Sequence, residues 1–176
     1  MKKNLKIWRD KNGIPHVEAE NEIDVYWGQG YVHAKDRGMQ MLLMRILGQG
    51  RVSELLDSSE DSLKIDIFFR KMNWTSNTTQ EIEKLDDRIR GYVNAYCDGA
   101  NAAFAERVPW EFKLLGYKPE KWKPEDSVLI SRMIGYLSLA QSQAEMEKLF
   151  VEIVQAGISE EKLHELFPGI LGGLDM

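Results

Sequence analysis

The sequence predicts an α+β fold, a helix-rich chain with one β-hairpin. Two observations predict it. Leu5 to Arg9 and Ile14 to Ala19 are short runs of β character separated by D-K-N-G, whose Asn12-Gly13 supplies the positive φ values of a tight turn. After them, apolar residues recur at three- and four-residue spacing in segment after segment, which is the helical period.

In order along the chain, Asn21 is positioned as an N-cap, with Glu22 and Asp24 in the first turn of a helix that ends at Gly48 and Gly50. A polar stretch follows, Asp57 to Thr79, flanked or interrupted by short helical pieces around Arg51 to Leu56 and Ile65 to Met72. A second long helix starts at Gln80 or Asp87 and runs to Glu106, with Ile89, Val93, Tyr96, Ala100 and Ala103 on one stripe; Pro109 stops it. A Pro-rich loop leads to a long helix from Pro124, where proline suits the first turn. Ser159 to Leu166 forms a last short helix whose capping box is weakened by lysine at the third position, and the tail FPGILGGLDM breaks all periodicity.

Composition places residues 1–176 as one globular unit: 43% hydrophobic, 29% charged, formal net charge −5. Lys and Arg are scattered, which argues against nucleic acid as a partner, and no stretch approaches the length of a membrane span. Cys97, the only cysteine, excludes an intrachain disulfide and reads as a buried small apolar residue. The sequons at Asn73 and Asn77 read as chance matches. The start MKKNLKIWRD has no apolar run, so a cytoplasmic location is expected as written, and a periplasmic or secreted one if an export segment has been removed.

The first long helix is unusual in carrying His33, Asp36, Arg37 and Arg45 within a Met-rich run. Val25, Gln29, Val32, Asp36, Met39, Leu43 and Ile46 fall on one stripe, which places Asp36 among apolar neighbours and demands a partner: Arg37, Arg45, or backbone N–H groups elsewhere. A line of small residues, Gly30, Ala34 and Gly38, lets another element approach closely. Two readings of H-x-x-D-R stand: a satisfied structural network, or His33 as a general base beside Asp36. No nucleophile, Ser-His-Asp set or metal triad accompanies it, so no catalytic residue is assigned to this chain.

The stretch RDKNGIPHVEAENEIDVYWGQGYVHAKDRGMQMLLMRILGQGRVSELL resembles the opening of the α subunit of the penicillin acylase family of N-terminal-nucleophile hydrolases. It carries, in order, that family's R-D-x-x-G-V/I-P-H hairpin, its G-Y/W-V-x-A-x-D-R-x-x-Q-M-x-x-x-R helix and its G-x-x-S/A-E-L/V-L end. FKLLGYKPEKWKPED resembles the later F-x-x-x-G-F/Y-x-P-x-x-W-x-P-x-D segment. The resemblance implies an αββα fold made by two chains cut from one precursor. It also implies an amidohydrolase whose nucleophile, usually serine, is the first residue of the β chain and uses its own α-amino group as base.

For this chain the resemblance implies a non-nucleophile subunit that hydrolyses, with its β partner, the side-chain amide of penicillins or related small N-acyl compounds. The alternatives are an N-acyl-homoserine lactone acylase and, in another class, a non-catalytic helical binding module. Aligned on Met133-Ile134, Leu139 falls where penicillin G acylases carry a pocket methionine. Ser142 and Gln143 fall where they carry arginine and phenylalanine, a loss that bears on phenylacetyl specificity. Glu145, or Glu147, matches a glutamate that helps bind structural calcium with carboxylates of the β chain; one side chain alone cannot satisfy a cation that takes six to eight oxygens. The tail fits the end of a product chain near a cleavage site.

Overall fold

The computed structural model describes residues 5–167. The expectation for the tail therefore lies largely outside the described residues. Contacts divide the chain into two compact units, Met1–Met133 and Ile134–Met176. The expected fold class is what is found: among the described residues there are many helices and one two-stranded antiparallel sheet, β1 (Leu5–Arg9) against β2 (Pro15–Ala19), with Ile7 opposite Val17.

The turn of the hairpin differs from the expected Asn-Gly pair. Gly13 alone has positive φ, at 80°. The geometry is set instead by Asp10, whose Oδ1 accepts from the backbone N–H of Asn12 and Ile14 at 2.8 and 3.0 Å, so an aspartate side chain does the work assigned to a second left-handed residue.

Helix α1 (Glu22–Gly48) starts where expected, Asn21 Oδ1 accepting from the Asp24 N–H at 2.9 Å. It packs on α5 (Asp87–Glu106), itself capped by Asp86 through the Ile89 N–H. The small-residue line makes that approach: a β-carbon on Gly30 would lie 2.0 Å from the Tyr96 carbonyl oxygen, and one on Gly99 1.9 Å from that of Trp27. The hairpin lies over Gly28, where a β-carbon would meet Val17. Around this crossing the main core gathers Leu42, Ile46, Cys97, Ala100, Phe104 and Trp122. Burial pushes the Cys97 thiol up to about 12, so it is inert as well as buried.

Between them lie α2 (Val52–Leu55), α3 (Glu60–Met72) and α4 (Thr78–Glu83); α6 (Trp110–Leu114) follows α5 in a stretch read above as loop. Helix α3 starts five residues earlier than its apolar pattern suggested because Ser59 caps it. Asn73 and Asn77 both adopt left-handed backbone, φ 53° and 60°. That is the structural reason for asparagine at both sequons, since asparagine tolerates this region better than other β-carbon-bearing residues. Asn73→Ala is accordingly expected to lower unfolding free energy by about 1 kcal/mol in a denaturant titration, while Asn73→Gly leaves it level or higher.

Helix α2 has no cap of its own, and Asp66, buried on α3, supplies one from 13–14 residues away: it accepts from Val52 N–H (2.7 Å), Ser53 N–H (2.8 Å) and Ser53 Oγ (2.5 Å). Burial pushes the Asp66 carboxyl up, but the Ser53 hydroxyl and the two backbone donors outweigh it, leaving the group below its ordinary 3.8. A lowered carboxyl contributes stability that is present above its ordinary value and lost as pH falls through the folded one. Asp66→Asn is expected to cost about 1–3 kcal/mol at neutral pH and to flatten the acid limb of the stability curve, because its amide turns a donor toward donors.

Helix α7 (Pro124–Ile134) closes the first unit with a second cluster, Phe69, Leu129 and Met133. In the second unit a π-helical segment, Gly135–Ala140, runs into α8 (Gln141–Gln155), followed by α9 (Glu160–Leu166). The expected long helix from Pro124 is thus interrupted. Ser159 makes no side-chain capping bond to α9, in keeping with the weakened box.

Candidate functional site

The charges in α1 separate into distinct arrangements. Asp36 does not sit among apolar neighbours: it is exposed and forms an ion pair with Arg9 of the hairpin, with neither Arg37 nor Arg45 as its partner. The stripe that placed it inside is in part an outer face, since Val25 and Leu43 are exposed too. The helix is non-helical at Arg37 (φ −126°, ψ 15°), which shifts the two halves out of a single register.

The buried charge is Arg45, 2% exposed. Its guanidinium donates to Asp126 Oδ2 at 3.3 Å, to the Glu120 carbonyl at 3.2 and 3.3 Å, to the Lys121 carbonyl at 3.3 Å and to Tyr117 Oη at 3.4 Å. It also lies over the Trp122 ring. Asp126 accepts in turn from the Lys123 N–H at 2.9 Å and from Gln49 Nε2 at 3.4 Å. Burial pushes its carboxyl up, against the pull of those donors. Sequence reasoning missed Asp126: its carboxylate takes the Lys123 N–H as the third residue of a capping box would, but the Ser or Thr that announces such a box in sequence is replaced by Lys123.

Among the described residues, the hydrogen-bonding contact of His33 is with Tyr96, whose Oη lies 3.1 Å from Nδ1. His16 stacks on Trp8 with Nε2 3.5 Å from Asp10, and His164 lies 3.9 Å from Glu160. These are the contacts of a structural network, the first of the two readings of H-x-x-D-R. Beside Tyr96 a cavity of about 360 Å³ opens between α1, α5 and α7, lined by Tyr26, Tyr92, Val93, Trp122 and Ile130. Its aromatic residues come from distant parts of the chain, so no local motif announces it.

In the second unit the structure brings Leu139, Ser142 and Gln143 onto neighbouring turns, Leu139 at the end of the π-helical segment and the other two at the start of α8. Serines shape this junction: Ser138 Oγ donates to the Ile134 carbonyl at 2.5 Å and Ser142 Oγ to the Ser138 carbonyl at 2.8 Å, a back-bonding pattern that bends helices. Segments of π-helix occur frequently at functional sites. Gln143 Nε2 reaches Glu147 Oε1 at 2.7 Å. Leu139 is 74% exposed, Met146 and Leu149 are also exposed, and no residue from Gly135 to Gln155 is buried. An apolar helix face thus lies open. Among the described residues, no three His, Cys, Asp or Glu side chains converge as a metal site, so Glu145 offers a single carboxylate.

A protein-family model described as penicillin amidase matches residues 4–172. An acyl-homoserine lactone acylase, QuiP, from Pseudomonas syringae pv. syringae is 34% identical over 168 residues, spanning 94% of this chain and 20% of that protein. A penicillin acylase 2 proenzyme from Pseudomonas sp. strain SE83 is 36% identical over 135 residues, 76% of this chain and 17% of the proenzyme. The chain therefore spans about one fifth of the length of these relatives. Among solved structures, a thermostable penicillin G acylase from Alcaligenes faecalis superposes with a TM-score of 0.66 at 27% identity, over 98% of this chain and 93% of that one.

Proposed function

The chain belongs to the penicillin amidase family, and we propose that it is the α chain of a two-chain amide hydrolase whose β chain is cut from the same precursor. The family match along residues 4–172 carries this reading. In the family that the sequence resembles, the β chain's first residue attacks the amide carbon and its free α-amino group, titrating near pH 8, takes the hydroxyl proton. The amine leaves, an acyl-enzyme remains, and water releases the acid. This chain's part would be to shape the acyl pocket and brace the assembly.

Leu139, Ser142 and Gln143 are the residues we assign to the acyl pocket. Their open apolar face, at a helix already interrupted by a π-helical segment, supports the assignment. Small-molecule penicillins or other N-acyl amides are the substrate class. N-acyl-homoserine lactones are the second reading, favoured by the name of the Pseudomonas syringae relative and by Ser142, which fills less space than an arginine. A self-standing binding module would leave Leu139, Trp110, Leu114 and a lone hairpin facing water, an arrangement single domains avoid.

Glu145 would give calcium one ligand, Glu147 being the alternative, and the other oxygens would have to come from the β chain. Calcium would act structurally. Glu145→Ala is expected to lower the calcium content of the assembled protein; unchanged content in both Glu145→Ala and Glu147→Ala removes the assignment.

Intact mass and N-terminal sequencing of the purified protein test the two-chain reading: a second, longer chain beginning with serine or cysteine is expected, and a single chain overturns it. Acyl-length profiling then separates the substrate readings. Leu139→Trp is expected to move kcat/KM toward shorter acyl groups by roughly tenfold or more, the scale of one or two methylenes in an apolar pocket.

A further inference from the structure

The π-helical turn at Gly135–Ala140 needs a cause. Such turns are rare, and a break in a helix is usually enforced by packing or by a side chain that enters the backbone ladder. Core packing is not the cause among the described residues: none from Gly135 to Gln155 is buried, and a β-carbon on Gly135 would meet nothing within 4 Å. A side chain is at hand. Ser138 Oγ donates to the Ile134 carbonyl at 2.5 Å, four residues back, and Ser142 Oγ repeats the contact on the Ser138 carbonyl at 2.8 Å.

The Ser138 hydroxyl thus bonds the carbonyl that an α-helix would give to the Ser138 N–H, so this carbonyl stays satisfied when the turn widens. The widened ladder shows at the Gln141 N–H, which donates to the Tyr136 carbonyl five residues back. Its consequence is a change of neighbours. An α-helix sets residues three and four apart side by side, whereas a ladder of five sets Leu139 over Ile134. Leu139 is 74% exposed and Ile134 57%, and Met146, seven residues beyond Leu139, continues the open apolar line into α8.

We infer that Ser138 is a positioning residue for acyl selection: its hydroxyl holds the wide turn, and the wide turn aligns Ile134 with Leu139, so that the pair sets the length of acyl chain accepted. The inference rests on the assignment of Leu139 to the acyl pocket. Ser138 acts through that alignment and not by contact with the acyl group.

The test uses the purified, assembled protein and a series of straight-chain acyl p-nitroanilides. Ser138→Thr and Ser138→Val share a shape and differ in the hydroxyl. Ser138→Thr is expected to keep the parent's order of kcat/KM along the series, since threonine makes the same back-bond. Ser138→Val and Ser138→Ala are expected to change the ratio between short and long acyl groups by roughly tenfold, with melting temperatures close to that of Ser138→Thr. Ile134→Ala should move the preference toward longer chains. One profile shared by the Thr, Val and Ala variants overturns the inference, as does an unmoved profile in Ile134→Ala. A loss of activity equal at every acyl length overturns it too, because it marks a role in folding alone. Leu139→Trp separates the two failures: if it moves the profile and the Ser138 variants do not, the pocket assignment stands and the role of Ser138 falls. If neither moves it, or no member of the series is hydrolysed, both fall.

Discussion

Replacing Gly99 by alanine is expected to destabilise the protein by about 3 kcal/mol, the upper end of the cost of overpacking. Within an isolated helix the same change would stabilise, since alanine is the better helix former. Here the added β-carbon would lie 1.9 Å from the Trp27 carbonyl oxygen and 2.9 Å from the Tyr31 nitrogen, so the obstacle is backbone that no rotamer change can move. The helices must separate, and the core around Ala100 and Phe104 loosens with them. Gly30→Ala, 2.0 Å from the Tyr96 carbonyl oxygen, should behave alike. Gly91→Ala in the same helix is the control: its β-carbon would meet only the Ile23 Cδ1 at 3.3 Å, and a gain of roughly 0.5–1 kcal/mol is expected. Denaturant melts of the three variants check the pattern, and equal effects at Gly91 and Gly99 would show that the close crossing is not what demands glycine.

Arg45→Met should cost about 3–5 kcal/mol, the usual consequence of removing one partner from a buried ion pair. It strips donors from the Glu120 and Lys121 carbonyls as well as from Asp126. Asp126, already pushed up by burial, would rise further. The sign of the pH effect follows: a carboxyl whose folded value is raised destabilises while ionised, and that penalty fades as pH falls through the folded value toward the ordinary 3.8. The deficit of Arg45→Met relative to the parent should therefore shrink on acidification. Adding Asp126→Leu to it should recover much of the loss, because the stranded charge is gone; a double variant as unstable as the single one would place the role of Arg45 in packing on Trp122 instead.

The hairpin, the N-cap at Asn21 and the helices starting at Glu22 and Pro124 were legible because each is written in neighbouring residues: a turn, a cap, a period of 3.6. Of the two starts read for the second long helix, Gln80 and Asp87, the structure has the later one, capped by Asp86. Helix α6 was not, since five residues between Pro109 and Gly116 carry too short a pattern to read. The interruption at Gly135–Ala140 was invisible for a related reason: apolar spacing through it remains compatible with an ordinary helix, and the serine back-bonds appear only once the backbone is placed.

The pocket candidates Leu139, Ser142 and Gln143 and the calcium candidate Glu145 came from resemblance alone, and the structure adds that the segments carrying them bury none of their residues. The composition and order of motifs already determined the family, the helical class and the need for close packing along Gly30, Ala34 and Gly38. Which charge was buried did not follow from them. Asp36 and Arg45 look alike in one dimension, and their fates were set by segments 27 and 81 residues away, Arg9 and Asp126. Solvation of a charge depends on what surrounds it in space, and a helical period reports only which residues share a side.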